Sequence, residues 1–137
     1  MVDASIVTIL FTKDVRHAAA RTLVERETDL YAPALILTET ANALWQVGRM
    51  SAREGVLDLV KSYVVSDLAN RLVLIADAEV LAFALELAFE LSHPVYDCTY
   101  LALALQRDEP LYTFDLRFKR KLDDTRFAPN VRVPQGP

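Results

Sequence analysis

Residues 94–104, Pro94-Val95-Tyr96-Asp97-Cys98-Thr99-Tyr100-Leu101-Ala102-Leu103-Ala104, predict a buried helix that carries one carboxylate. Proline suits the start of a helix, and the leucines and alanines that follow favour helical structure. Apolar residues occupy nearly every face of the segment, so little of it is expected to contact water. Burying Asp97 is unfavourable unless donors or cations meet it. From this segment alone, Asp97 either caps the helix or belongs to a functional site.

Strand and helix patterns alternate on either side of this segment. Apolar, β-branched runs predict strands, the first continuing into a loop or short helix, at 2–10, 29–32, 71–75, 111–114 and 131–133. Helical spacing predicts helices at 16–26, 34–47, 51–69, 77–91 and 116–122. The helix at 34–47 is expected to end at Gly48, with Leu35, Ala41, Leu44 and Trp45 on its inner face. This alternation predicts an α/β fold with a parallel sheet covered by helices on both faces.

Length and composition predict one domain over residues 1–133, followed by a frayed tail at 134–137. The hydrophobic fraction is 53% and the mean hydropathy is +0.18, which suggests either a buried subunit interface or a large core. No apolar run is long enough to span a membrane, and the N-terminus lacks the pattern of a secretory signal. A single cysteine, Cys98, cannot form an internal disulfide, so a reducing compartment, the cytoplasm, is expected.

The net charge of −4 argues against a protein held on nucleic acid by bulk charge alone. It is compatible with an enzyme that has a local basic rim, or with an acidic pocket that needs metal ions.

Four acidic residues are expected to converge at one edge of the predicted sheet. Asp3 lies on the first strand and Asp115 follows a later one, while Glu39 and Asp97 lie in the first turns of helices. Strand ends and helix starts share one edge of a parallel α/β sheet, which is where sites form. Two carboxylates about 5 Å apart repel by roughly 3 kcal/mol at an effective dielectric constant of about 20. A hard divalent cation, Mg²⁺ or Mn²⁺, would relieve this repulsion.

Other polar residues have ordinary explanations when each is taken singly. Ser5, Asn42 and Thr113 could support a carboxylate or a metal-bound water, but they also fit a turn, a helix surface and a strand. His17 and His93 are interpreted as surface or loop residues, since no His or Cys cluster offers a zinc site. A basic group on the predicted helix after Asp115 forms a solvated face or contacts a phosphate backbone: Arg117, Lys119, Arg120 and Lys121.

Four motifs in this order resemble those of PIN-domain proteins, and most closely the VapC-type toxins of bacterial toxin–antitoxin pairs. They are Val2-Asp3-Ala4-Ser5, Glu39-Thr40-Ala41-Asn42, residues 96–104 and Leu111-Tyr112-Thr113-Phe114-Asp115. Pro33 precedes the second motif, and Phe118 and Lys121 follow the last. The likeness covers essentially the whole chain. It departs at the start, where only Met1 and Val2 precede Asp3, so a short first strand is expected.

The resemblance implies a PIN-like three-layer α/β/α sandwich with a central parallel sheet of about five strands. It also implies an endoribonuclease that depends on Mg²⁺ or Mn²⁺ and cuts single-stranded regions of RNA. Its catalytic and metal-binding quartet would be Asp3, Glu39, Asp97 and Asp115, with Thr113 and Asn42 in support. A homodimer and a cognate VapB-like antitoxin, whose tail covers the active site, are implied as well.

Three alternative functions are weighed against the ribonuclease. A PIN-like module that binds RNA or protein without cutting would retain an acidic quartet, and its repulsion, for no gain. A phosphoacceptor domain calls for paired acids after the first strand, and Asp3 has no acidic neighbour. A phosphatase with an aspartyl nucleophile calls for a second Asp at position 5, which is serine.

Overall fold

The computed structural model of the protein describes residues 1–27, 29–51, 55, 58, 63 and 68–136. Six helices in this part of the chain are labelled in chain order: α1 Ala4–Ile9, α2 His17–Arg26, α3 Leu35–Ser51, α4 Leu81–Leu91, α5 Val95–Gln106 and α6 Leu116–Leu122. The strands are β1 Leu30–Pro33, β2 Leu72–Ile75, β3 Leu111–Tyr112 and β4 Val131–Arg132. Short helical turns lie at Ala69–Arg71, Asp77–Glu79 and Ala128–Asn130.

The strands form parallel pairs that the N-terminus joins. β1 pairs with β2, and β3 pairs with β4, each in parallel. Val2 makes a parallel bridge to Tyr112, and its N–H donates to the Tyr31 carbonyl oxygen at 3.2 Å. The first residues therefore lie between β1 and β3, which gives the lateral order β2, β1, residues 1–3, β3, β4. The predicted α/β fold with a parallel sheet is confirmed.

Within the run at residues 2–10, the extended part is confined to the residues before Ala4, and the short helix that was the alternative to a loop after the strand is α1. Asp3 has an extended backbone, and its Oδ1 accepts from the N–H groups of Ser5 and Ile6, which caps the helix. Ile6, Val7 and Ile9 are buried on α1. The β-branched run favours a strand by propensity, but the cap and the burial of this helix override that preference.

Two expectations for the helix after Pro33 are wrong. The helix does not end at Gly48 but continues to Ser51, so glycine is tolerated here inside a helix. Trp45 is 52% exposed rather than inward, whereas Ile36, Thr40 and Leu44 are buried at four-residue spacing. Of the four residues predicted on the inner face, Leu44 is buried, Leu35 and Ala41 are partly buried against the core, and Trp45 alone lies off it.

The helix predicted for residues 51–69 falls largely outside the described residues. The helix predicted from Asp77 is split into the turn Asp77–Glu79 and α4. The prediction that the segment around Asp97 forms a buried helix is confirmed, since Cys98 to Ala104 on α5 are all buried. The strands predicted near 29–32 and 71–75 and the helix at 116–122 also agree with β1, β2 and α6. No helix among the described residues has both the length and the apolar character that crossing a membrane requires.

Candidate active site

One open cavity of about 520 Å³ is lined by all four acidic residues that the sequence singled out, Asp3, Glu39, Asp97 and Asp115. They arrive from four separate places: the start of α1, the second turn of α3, the first turn of α5 and the start of α6. Ser5 and Asn42 also line the cavity. We refer to this cavity as the acidic pocket.

Asp3 and Asp115 reach the acidic pocket as helix caps. Oδ1 of Asp3 caps α1, and Oδ1 of Asp115 accepts from the N–H groups of Arg117 and Phe118 at 2.8 and 3.0 Å at the start of α6. In both residues these capping bonds fall on Oδ1, so Oδ2 lies outside them. A carboxylate at a helix start is stabilised by the unpaired N–H groups and the helix dipole there.

Ser5 connects the two caps. Its hydroxyl donates to Asp3 Oδ1 at 2.5 Å, accepts from the Phe114 N–H at 2.8 Å and lies 3.5 Å from Thr113 Oγ1. Thr113 is fully buried, and its Oγ1 accepts from the Asp115 N–H at 2.8 Å. The predicted supporting hydroxyls therefore lie together beneath Asp3 and Asp115.

Asp97 does not cap its helix in the described contacts. Its Oδ2 lies 2.7 Å from Nε2 of His93, one turn earlier in sequence. The His93 ring stacks on Phe118 of α6, with ring centroids 4.8 Å apart and an angle of 22° between the planes. His93 does lie in the loop before α5, as expected, but its contacts with Asp97 and Phe118 mean that it is not an ordinary loop residue. The signal in the sequence was the four-residue spacing between His93 and Asp97 across Pro94.

Glu39 is held by a residue that the sequence reasoning did not select. The Tyr100 hydroxyl donates to Glu39 Oε2 at 2.5 Å. Tyr100 follows Asp97 by three residues, so both project from the same side of α5. Burial raises the pKa of the Tyr100 phenol far above its usual range, and the negative charge of Glu39 and the hydrogen bond to it add to the shift. The phenol therefore stays a hydrogen-bond donor at any pH near neutrality.

Burial and mutual repulsion disfavour charge in the acidic pocket. Burial is the main cause that raises the pKa of Asp3 to about 6, against hydrogen bonds from Ser5, Thr113 and Ile6. Burial also raises the pKa of Glu39, and the charges of Asp97 and Asp3 add to that shift. The pKa of Asp97 is raised by burial first and by Asp115, while His93 opposes the shift.

The residues fit a hard divalent cation by their donor chemistry. Every predicted ligand is a carboxylate, and three of the four carboxyl groups have raised pKa values that a cation would offset. As the side chains stand, no three His, Cys, Asp or Glu residues in the described part of the chain are gathered closely enough to hold one ion.

The remaining predicted residues lie at the rim or beyond it. Asn42 is exposed at the rim of the acidic pocket. The basic residues of α6 follow Asp115 but do not line the cavity, and Lys119 forms an ion pair with Asp123. A further cation, Arg16, lines the pocket; no motif in the sequence marked it.

A family model described as the PIN domain matches residues 1–122. Ribonuclease VapC3 from Pyrobaculum aerophilum is 32% identical over 125 residues, which span 88% of this chain and 92% of that protein. The crystal structure of PAE2754 from the same organism superposes with a TM-score of 0.66 at 24% identity, over 88% of this chain and 76% of that one. The Mycobacterium tuberculosis toxin VapC20, which cleaves the sarcin–ricin loop, superposes with a TM-score of 0.60 at 20% identity, over 87% and 92%. These two structures support the fold alone.

Proposed function

The chain belongs to the PIN-domain family, and from that membership we propose that it is a metal-dependent endoribonuclease that cuts single-stranded regions of RNA. We further propose that it acts as the toxin of a toxin–antitoxin pair. The observation that carries the proposal is the convergence of four carboxylates, from distant parts of the chain, on one pocket. The ribonuclease name of the VapC3 relative supports the same reaction class.

Asp3, Asp97 and Asp115 would hold one Mg²⁺ or Mn²⁺, with Glu39 bound directly or through water. When bound, such an ion would supply a water that is acidic enough to react at neutral pH and a positive charge beside the phosphate. The chain's own contribution is to orient the ligands. Ser5 and Thr113 fix the two helix caps, Tyr100 holds Glu39, and His93 holds Asp97.

In hydrolysis of the kind that the family resemblance implies, the oxygen of water would bond to phosphorus as the bond from phosphorus to the 3′ oxygen breaks, and the 3′ oxygen would leave with a proton. The products would carry 5′-phosphate and 3′-hydroxyl ends. The RNA would approach over α6, where Arg117 in the first turn and Arg120 and Lys121 in the last turn are exposed and Lys119 pairs with Asp123. Contacts from these cations to phosphates would position the RNA without selecting a base sequence.

The expected partners are a VapB-like antitoxin and a second copy of this chain, in the cytoplasm. Leu81, Leu85 and Phe89 of α4 are 50%, 49% and 80% exposed and recur every four residues, so they form one apolar stripe. A two-fold dimer pairs a patch with itself, which suits such a stripe. Glu90 at its edge is paired with Arg126 at 2.8 Å, which reduces the repulsion between two copies. We therefore assign the homodimer contact to this α4 stripe.

The decisive experiment is cleavage of mixed cellular RNA by the purified protein, freed of any antitoxin. Reactions contain Mn²⁺ or a chelator, and Asp97→Asn is assayed beside Asp124→Asn, an exposed acid outside the pocket. We expect discrete cuts that need both the metal and Asp97 and that persist in Asp124→Asn. The cut ends should be 5′-phosphate and 3′-hydroxyl.

Cleavage that chelator and Asp97→Asn leave unchanged would come from a contaminant and would contradict the proposal. If Mn²⁺ binds but no RNA from any source is cut, the domain is an RNA- or protein-binding module without cleavage activity.

A further inference from the structure

Arg16 is the one basic residue among the described residues that line the acidic pocket. It occupies the cap position before α2, and its side chain is 45% exposed. The other lining residues with formal charge are the four carboxylates. A polyanion that enters this pocket therefore meets one guanidinium beside the acids.

The Arg16 side chain is held in place before any ligand arrives. Its Nε and Nη2 donate to the two carboxylate oxygens of Asp14 at 2.8 and 2.7 Å, and its own N–H donates to Asp14 Oδ1 at 2.8 Å. The guanidinium carbon lies 5.2 Å from the ring centroid of Phe114. Phe114 is buried and lies between Thr113 and Asp115, so the guanidinium is fixed against the turn that carries an acid of the site.

The contact with Asp14 leaves donors for a ligand. A guanidinium has five N–H groups, and the pairing with Asp14 uses one on Nε and one on Nη2. Three N–H groups on the far edge are outside that pairing. A planar guanidinium can donate to two phosphate oxygens at once, and it therefore fits a phosphate better than the ammonium group of lysine does.

A simpler explanation is that Arg16 and Asp14 form an ordinary surface ion pair. Such pairs contribute little to stability, because water and salt screen them. An ion pair between Arg16 and Asp14 could form without any contact with Phe114 or the pocket. That explanation therefore does not account for the position of the guanidinium.

We propose that Arg16 is a positioning residue that binds a phosphate of the RNA backbone next to the acidic pocket. This inference rests on the proposed ribonuclease function. By holding one phosphate, Arg16 sets the register of the strand relative to the carboxylates, and it offsets their repulsion of the RNA.

The test measures binding of a fluorescent single-stranded RNA of mixed sequence at several salt concentrations. All proteins carry Asp97→Asn so that the RNA stays intact, and Mn²⁺ is present. Arg16→Gln is compared with Arg21→Gln, which removes an exposed arginine that pairs with Glu25 on α2 and does not line the pocket. Arg16→Lys is the second variant, because it keeps the charge and loses the planar guanidinium.

We expect Arg16→Gln to weaken RNA binding about tenfold, as for the loss of one charge-assisted contact. The slope of log affinity against log salt concentration should decrease in magnitude by about 0.7, which is the contribution of one phosphate contact on a single strand. Arg21→Gln should change neither quantity, and Arg16→Lys should keep the slope with an intermediate affinity. In the background without Asp97→Asn, Arg16→Gln should slow cleavage at subsaturating RNA by the same factor. Mn²⁺ affinity should be unchanged.

Equal binding by Arg16→Gln and Arg21→Gln, with the parent still cutting RNA, would overturn the inference and leave the proposed function standing. A parent that neither binds nor cuts RNA would overturn both. Melting temperatures show whether Arg16→Gln is misfolded. If it is, the salt slope and the RNA affinity of Arg16→Lys test the inference in its place.

Discussion

Asp3 caps α1 and also lines the acidic pocket, so one carboxylate contributes to the fold and to the site. Its hydrogen bonds favour the charged form, while burial disfavours it more strongly. Asp115 likewise caps α6 and lines the acidic pocket, and the Ser5 and Thr113 hydroxyls connect the two caps. For Asp97 the sequence offered a helix cap or a functional site as alternatives. At Asp3 and Asp115 one carboxylate does both.

We expect Asp3→Asn to stabilise the metal-free protein at neutral pH. Asparagine Oδ1 can still accept from Ser5 and Ile6, but no buried charge remains. Because the pKa of Asp3 is raised to about 6 from an unfolded value of 3.8, the folded state binds more protons between these values. The free energy of unfolding of the parent therefore falls as pH rises through that window. The variant should gain about 1–2 kcal/mol at pH 7 and little at pH 4.

Thermal unfolding of both proteins at the two pH values, in chelator, measures this difference. A variant that is less stable than the parent at both pH values would show that the cap needs the charge.

We expect His93→Phe to weaken Mn²⁺ binding about tenfold, because a partner that orients a ligand commonly contributes that much. Phenylalanine keeps the stacking on Phe118 and loses the hydrogen bond to Asp97. His93→Gln is the matched control, since its amide N–H can still donate to the Asp97 carboxylate. Calorimetric titration with Mn²⁺ gives the affinities. Equal affinities for the parent and His93→Phe would mean that Asp97 needs no partner for its orientation.

At the scale of elements, α3 begins with help from a distant segment. The Leu35 N–H at the start of α3 donates to Asp77 Oδ1 at 3.0 Å, across 42 residues of sequence. The Ala34 N–H donates to the Ile75 carbonyl at 2.8 Å, at the end of β2. The end of β2 and the turn after it therefore fix the start of the helix that presents Glu39.

We expect Asp77→Ala to lower the free energy of unfolding by about 1 kcal/mol, the usual effect of losing a helix cap. Asp77→Asn keeps an acceptor for the Leu35 N–H and should remain close to the parent. Urea unfolding followed by circular dichroism measures both. If the two variants lose the same stability, the charge of Asp77 matters rather than its acceptor.

At the scale of the whole molecule, the exposed stripe on α4 accounts for part of the high apolar content. We expect Phe89→Glu to convert the proposed homodimer to a monomer, because each copy would then bring a negative charge into the self-paired stripe. Val15→Glu is the control, since Val15 is equally apolar and 96% exposed but lies outside α4. Light scattering after size exclusion gives the masses. A dimer that survives Phe89→Glu would place the contact elsewhere.

The sequence by itself determined the α/β class, the burial of helix α5 and the choice of the four acidic residues that line the acidic pocket. These features depend on local composition and on spacing along the chain. The alternation of strands and helices was enough to bring strand ends and helix starts to one edge, and so to predict that the acids meet. The motif order was enough to identify the family, with which the family match agrees.

Only the tertiary structure decided where the first strand ends, which face of α3 is inward and what holds each carboxylate. Ile6, Val7 and Ile9 favour a strand by propensity, yet they pack as a helix once Asp3 caps it. Helical spacing places Tyr100 beside Asp97, but the contact of Tyr100 with Glu39 and that of Arg16 with Phe114 join segments far apart in sequence, which no local pattern encodes. Packing of distant segments selects one arrangement among several that local preferences allow, and that selection placed these residues.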